Sequence, residues 1–128
     1  MRTRQDLESY ILRAGLPHEE VSENLWVLRD TANGENIVVN LAESLVIFRM
    51  KIMELKGVND RTALFTKLLA LNSSEMIHGA YGIADDALML TCTLRINNLD
   101  YEEFVGTIDD FSLAINKHYE ELSAFRAA

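Results

Sequence analysis

Apolar residues recur along this chain in two periods, and the switches between them mark its elements. Leu7, Tyr10, Ile11 and Ala14 fall at helical spacing. Thr3 can cap that helix, with Asp6 three residues on as in a capping box, and Gly15-Leu16-Pro17 ends it. Glycine takes the left-handed C-terminal conformation and proline cannot continue the helix. The pattern predicts a helix over 4–14, then strands at 25–28, 37–41 and 45–53. In the third strand Val46, Phe48, Met50 and Ile52 alternate with Arg49 and Lys51, a period of two. Asn33-Gly34 signals a hairpin between the first two strands, because both residue types tolerate positive φ. Those two strands are apolar at successive positions, which predicts cover on both faces.

Gly57 closes this meander. A second helix is expected over 60–71, capped by Asn59 or Asp60 and closed by Asn72, Ser73 and Ser74. Strands at 77–83 and 87–95 follow, joined by a tight turn at Asp85-Asp86. The last helix is the most strongly patterned. Asp100 caps it, Glu103 completes a capping box, and Leu99 can staple onto Phe104. Phe104, Ile108, Phe111, Ile115, Tyr119 and Leu122 share one stripe, with Glu102, Glu103, Asp109, Asp110, Glu120 and Glu121 opposite. About 25 residues would make a rod of ~38 Å. The order α-β-β-β-α-β-β-α with hairpin-length connections implies an α+β fold, a mostly antiparallel twisted sheet packed by helices. No linker or repeat divides it, so residues 1–128 are read as one domain.

Charge narrows the function classes. Twelve Lys and Arg against twenty Asp and Glu give a net charge of −8, which repels phosphate backbones and anionic membrane surfaces. The local basic pairs, Arg2 with Arg4 and Arg49 with Lys51, are too few and lack interleaved aromatics, so no nucleic-acid partner is expected. No uncharged apolar run approaches the ~20 residues of a membrane helix. The N-terminus lacks the apolar core of a signal peptide, so the reading is a cytoplasmic protein, and the acceptor-like Asn72-Ser73-Ser74 is a chance match.

Catalytic chemistry finds little support. Cys92 is the only cysteine and lies in an apolar run, which favours an inert buried thiol. His18 follows Pro17 and is read as a solvated loop residue. His118 lies toward the apolar stripe and is read as a buried, hydrogen-bonded histidine. His78 could face Cys92 across the second hairpin, but no third group is placed to orient such a pair. No histidines are spaced as helical metal ligands. Five adjacent acidic pairs diverge by 100° on a helix and read as a solvated face. Gly79-Ala-Tyr-Gly82, inside an expected strand, marks a bulge or a close backbone approach. No catalytic residue, cofactor or metal is therefore expected.

The second helix departs from this pattern. Leu64, Leu68 and Leu71 share one region of its surface, while Phe65 and Leu69 widen the apolar arc beyond the ~100° that one packing face requires. Such an arc fits either a helix buried within its own domain or a partner surface, and on the second reading Leu64, Phe65, Leu68 and Leu71 are the candidates for a dimer or partner interface.

The stretch from Leu69 through Gly79-Ala-Tyr-Gly82 to Thr91, followed by Leu94-Arg-Ile-Asn-Asn-Leu-Asp-Tyr-Glu-Glu-Phe104, resembles the bacterial YbjN family, labelled sensory transduction regulators. That family is similar in fold to type III secretion chaperones of the Tir-chaperone kind. The matching positions, a leucine-asparagine helix end, a glycine-aromatic-glycine strand and a leucine-aspartate helix start, shape the fold rather than carry chemistry. The resemblance implies a small acidic cytoplasmic protein, commonly a homodimer, that binds another protein. The first expectation is therefore a non-enzymatic chaperone-like or regulatory module that dimerises and holds a segment of a partner protein. The alternative is a regulatory domain that senses a small ligand in a pocket between sheet and helices. A hydrolase using Cys92 or a histidine ranks third.

Overall fold

The computed structural model describes residues 2–31 and 33–126. Its elements run α1 (Arg4–Ala14), β1 (His18–Ser22), β2 (Leu25–Arg29), β3 (Asn36–Ala42), β4 (Leu45–Glu54), α2 (Arg61–Ser74), β5 (Ala80–Ala84), β6 (Ala87–Arg95), a 3-10 turn (Ile96–Asn98) and α3 (Tyr101–Ser123). The strands form one six-stranded sheet in the order β1-β2-β3-β4-β6-β5. Every neighbouring pair is antiparallel, as the α+β reading requires.

The helix starts follow their caps. The Asp6 carboxylate accepts from the Thr3 amide at 2.8 Å, and Gly15 ends α1 at φ 74°. Asp60 accepts from the Ala63 amide at 3.0 Å and Asp100 from the Glu103 amide at 2.8 Å. Asp85 and Asp86 both adopt positive φ, which closes the β5–β6 hairpin in two residues. The β2–β3 connection is wider than a two-residue hairpin. Gly34 alone of the Asn33-Gly34 pair has positive φ, and the Asp30 amide donates across the loop to the Glu35 carbonyl. Ala32 lies outside the described residues.

One face of the sheet carries the core. Trp26, Leu28, Ile37, Val39, Val46, Phe48, Met50, Leu88 and Leu90 are buried there with Leu7, Tyr10 and Ile11 of α1 and Phe104, Ile108, Phe111 and Ile115 of α3. The Phe104 ring sits 5.6 Å from that of Phe48 and 5.9 Å from that of Tyr10, and the Tyr10 hydroxyl donates to the Leu99 carbonyl at 2.9 Å. At 23 residues, α3 is about 34 Å long at 1.5 Å per residue. Tyr119, at the rim of the stripe, is exposed, while Thr107, Ala114 and His118 are buried.

Three sequence expectations are corrected. His18 is not in a loop: it opens β1, an edge strand that the apolar pattern missed because all five of its residues are exposed. Cover on both faces of the first two predicted strands is not found, since Leu25, Val27 and Val38 on the outer face remain half-exposed. The strand expected at 77–83 starts only at Ala80, and α2 extends to Ser74.

Candidate functional site

The two edges of the sheet differ. At the β5 edge, the Asn72 side chain pairs with the backbone of Tyr81. Its amide nitrogen donates to the Tyr81 carbonyl at 3.1 Å, and its oxygen accepts from the Tyr81 amide at 2.8 Å. One side chain thus satisfies the outward-pointing backbone groups of Tyr81, as a seventh strand would. The segment 75–79 between α2 and β5 is tied to α3. His78 pairs with Asp110, Lys117 reaches Glu75 at 2.5 Å, and the Tyr81 hydroxyl meets His118 Nδ1 at 2.7 Å. The Lys117 ammonium holds the Glu75 carboxyl below the usual carboxylate range, and burial pushes the Tyr81 phenol far above its ordinary pKa. Gly79 makes this turn possible. It has φ +77°, and a Cβ there would lie 2.4 Å from the Thr91 carbonyl oxygen, so the close approach read from the glycines belongs to Gly79.

The β1 edge carries no such cover in its side chains. All five residues are exposed, and the register shifts between Glu20 and Ser22. Arg4 holds the strand against α1: it donates to Glu20 at 2.5 Å and to Asn24 at 2.7 Å, and its guanidinium lies 5.0 Å from the Trp26 ring centroid. The hydrogen bond from Arg4 lowers the Glu20 pKa, aided by the Asn24 amide. Between α1 and β1 runs a groove of about 330 Å³ lined by Glu8, Ile11, Leu12, His18, Glu19, Glu20 and Trp26. Leu12, 68% exposed, and Val21, 49% exposed, stand beside it. An open strand edge beside a groove that sets exposed Leu12 among Glu8, Glu19 and Glu20 is a surface on which an extended chain can add backbone hydrogen bonds and seat side chains.

The residues singled out on α2 divide between core and surface. Leu64, Leu68 and Leu71 are buried in the chain's own core, Phe65 is half-buried, and Leu69 is 70% exposed. The outward part of the arc is thus Phe65 and Leu69. The Cys-His pairing does not form, because His78 turns to Asp110 while Cys92 is buried, with its thiol pKa raised first by that burial. Asp110, read as part of a solvated acidic face, is instead the partner of His78. His118 is buried as expected, yet its Nε2 has no hydrogen-bond partner and sits 3.8 Å from Glu75. Among the described residues no cluster of three His, Cys, Asp or Glu side chains could hold a metal ion, and no helix is long and apolar enough to cross a membrane. A hollow of about 670 Å³ lies along α3 between Ile115 and Glu121 and the 33–35 loop. Asn116, Lys117, Glu120 and Glu121, its polar residues from α3, are all exposed, so none is held desolvated to orient a small ligand. The β1 edge and its groove went unseen in the sequence, because an exposed edge strand leaves no apolar alternation.

Comparisons with known proteins agree with this architecture. A chain in the crystal structure of the ExsC-ExsE complex aligns with a TM-score of 0.71 at 13% identity, covering 100% of this chain and 99% of that one. YbjN from E. coli aligns at 0.65 with 18% identity, covering 93% of each chain. A chain of the heterodimeric ExoU-SpcU complex from the type III secretion system of Pseudomonas aeruginosa aligns at 0.68 with 16% identity, covering 94% of this chain and 97% of that one. At these identities the likeness is one of fold. Among curated proteins, none matches the sequence. The family model CesT_Tir_1 matches residues 1–128, and the chain therefore belongs to that family of type III secretion chaperones.

Proposed function

We propose that this protein is a non-enzymatic, chaperone-like module of the cytoplasm that pairs with a second copy and holds an extended segment of a partner protein. The observation that carries the reading is the open β1 edge beside the α1 groove, in a molecule whose other edge has its Tyr81 backbone groups taken up by Asn72. Backbone groups along β1 would supply affinity with little demand on partner sequence, and the groove, with Leu12 beside the carboxylates of Glu8, Glu19 and Glu20, would receive side chains at alternate positions. Several solved structures of this fold are complexes with protein partners: ExsC with ExsE, SycH with a fragment of YscM2, and HopA1 with SchA. For pairing between copies, α2 offers Phe65 and Leu69, with Leu64, Leu68 and Leu71 anchoring the helix from beneath. A two-fold axis near Leu69 would let each copy bury the other's exposed leucine.

The test uses the tagged full-length chain isolated from its native cell, with bound proteins identified by mass spectrometry. Val21→Pro removes a backbone donor from the edge strand, and Leu12→Glu places a charge at the groove. Each is expected to abolish partner retention while circular dichroism stays unchanged. Retention equal to the unmodified chain in both variants, or no partner at all, refutes the reading. Light scattering at micromolar concentration reads the pairing. A dimer that Leu69→Glu converts to a folded monomer supports it, and an unmodified chain that is monomeric refutes it.

A further inference from the structure

The outer face of the sheet, opposite the helices, is a surface left unused by the reading above. Strand register lays it out in rows. Val27, Val38, Arg49 and Thr91 stand side by side across four strands, and Leu25, Asn40, Ile47 and Thr93 form the next row. The third row ends with Leu45 beside Arg95, and the row beyond Val27 holds Arg29 and Met89. This face is half-apolar and only partly exposed; register puts Arg29, Arg49, Lys51 and Arg95 on it against Glu19 and Glu54, a cationic excess in a protein of net charge −8. Arg29 donates to Asn36 at 3.4 Å, and Lys51 pairs with Glu54. Arg49 and Arg95, both exposed, have no ion pair or side-chain hydrogen bond among the described residues. At the centre, Leu25, Val38, Asn40, Ile47 and Arg49 line a depression of about 140 Å³.

We infer that this face receives an acidic, apolar segment of the partner protein, with a carboxylate on Arg49 and an aliphatic side chain in the depression beside it. The inference rests on the partner-binding reading and names the chemistry of what is bound. A free guanidinium offers paired donors that match a carboxylate bidentately. The depression next to it, floored by Leu25, Val38 and Ile47, fits a branched aliphatic group. A row spacing of ~6.8 Å along each strand matches the same-face repeat of an extended peptide. Charge complementarity decides among occupants. Pairing this face with its copy across a two-fold axis would bring Arg49 and Arg95 toward their duplicates, which opposes a second copy here. Nucleic acid would want rings to stack on, and Trp26, Phe48 and Tyr81, the aromatics of the strands, are all buried on the helix side.

The experiment selects displayed random dodecapeptides on the immobilised full-length chain and measures one enriched synthetic peptide by fluorescence anisotropy. Enrichment of Asp or Glu alternating with Leu, Val or Ile is expected. The peptide should lose roughly tenfold or more in Kd with Arg49→Glu, somewhat less with Arg49→Gln, and nothing with Leu12→Glu. Its affinity should fall as salt is raised. Both Arg49 variants alter an exposed side chain, and circular dichroism verifies that they fold. Enriched peptides without acids, or binding that Val21→Pro abolishes and Arg49→Glu leaves intact, overturn this inference while sparing the partner-binding reading. No enrichment at all overturns both. A labelled oligothymidylate that binds and is released by Arg49→Glu reassigns the face to a nucleic acid and overturns the inference. So does a dimer that Arg49→Glu converts to a monomer.

Discussion

Replacing Asn72 by Ala tests how the β5 edge is closed. The side chain makes two hydrogen bonds to one backbone residue, at 2.8 and 3.1 Å, and is half-buried. Each bond contributes about 0.5–1.5 kcal/mol net, and a group left dry and unpaired costs about 1–3 kcal/mol. Water can reach a half-buried site, so the lower range applies, about 1–3 kcal/mol for the pair. With a urea slope of ~2 kcal/mol/M for a chain of this size, the unfolding midpoint should fall by roughly 0.5–1.5 M. Asn72→Asp gives a sharper discrimination. A carboxylate can still accept from the Tyr81 amide but turns a second oxygen toward the Tyr81 carbonyl, so it should be no better than alanine. In hydrogen exchange, the Tyr81 amide should be protected in the unmodified chain and fast in both variants, while amides of β3 and β4 keep their protection. A midpoint shift below ~0.2 M, or an Asp variant as stable as the parent, would show that the pairing does not hold this edge.

The remaining predictions use the same denaturation and spectroscopic measurements. Phe111→Ala should cost about 3–5 kcal/mol, as for a fully buried phenylalanine, while Asp109→Asn, on the exposed side of α3, should shift stability by less than ~0.5 kcal/mol. Gly79→Ala must either break the φ +77° turn or push its Cβ against the Thr91 carbonyl. It should be destabilising beyond the ~1 kcal/mol of an ordinary left-handed alanine, and a neutral result would refute the close approach. Tyr81 has its pKa raised above the ordinary 10.0, by burial first and then by the charges of Glu121 and Glu75. The folded chain keeps this proton while the unfolded chain loses it, so stability is complete below pH 10 and declines above it. Ultraviolet titration of the folded protein, compared between the parent and Tyr81→Phe, should find the Tyr81 phenol still protonated near pH 10, where it ionises in urea.

Periodic elements were legible from the sequence, and elements made by the backbone were not. The bounds expected for α1 match because Thr3, Asp6, Gly15 and Pro17 each act locally, and the stripe of α3 matches at Phe104, Ile108, Phe111, Ile115 and Leu122 because helical spacing carries the core contact. β1 left no trace because HEEVS packs no apolar face; only its backbone pairing with β2 makes it a strand. The apolar character of residues 25–28 and 37–41 misled in the other direction, suggesting cover where the outer face stands open. The arc of α2 is wide in the sequence, but hydropathy cannot tell which part of an arc faces home. Leu68 is buried, so Leu68→Glu should unfold the chain, whereas Leu69→Glu should leave it folded. His78 turned to Asp110 rather than Cys92 because 75–79 is a loop laid on α3, and pairing in a loop has no period to read.

Edge chemistry also bears on whether a protein with an open strand joins itself through that strand. A second copy adding antiparallel to β1 would set Glu19 and Glu20 close to their duplicates, and like charges opposite one another in a ladder are destabilising. The register shift between Glu20 and Ser22 bends the strand and spoils the flat template that long edge-to-edge pairing needs. Neither device bars a different chain that brings cationic or neutral side chains to those rungs. The acids of β1 and the free arginines of the outer face therefore ask for opposite charges within one partner, a basic stretch at the edge and an acidic one across the sheet. Neutralising one surface at a time separates the two demands. Glu19→Gln with Glu20→Gln should weaken capture of the basic stretch, and should promote association through the altered edge only if those charges were what kept the copies apart. If that double variant captures the partner as well as the parent does and remains in the same oligomeric state, charge at β1 has no part in choosing what pairs there.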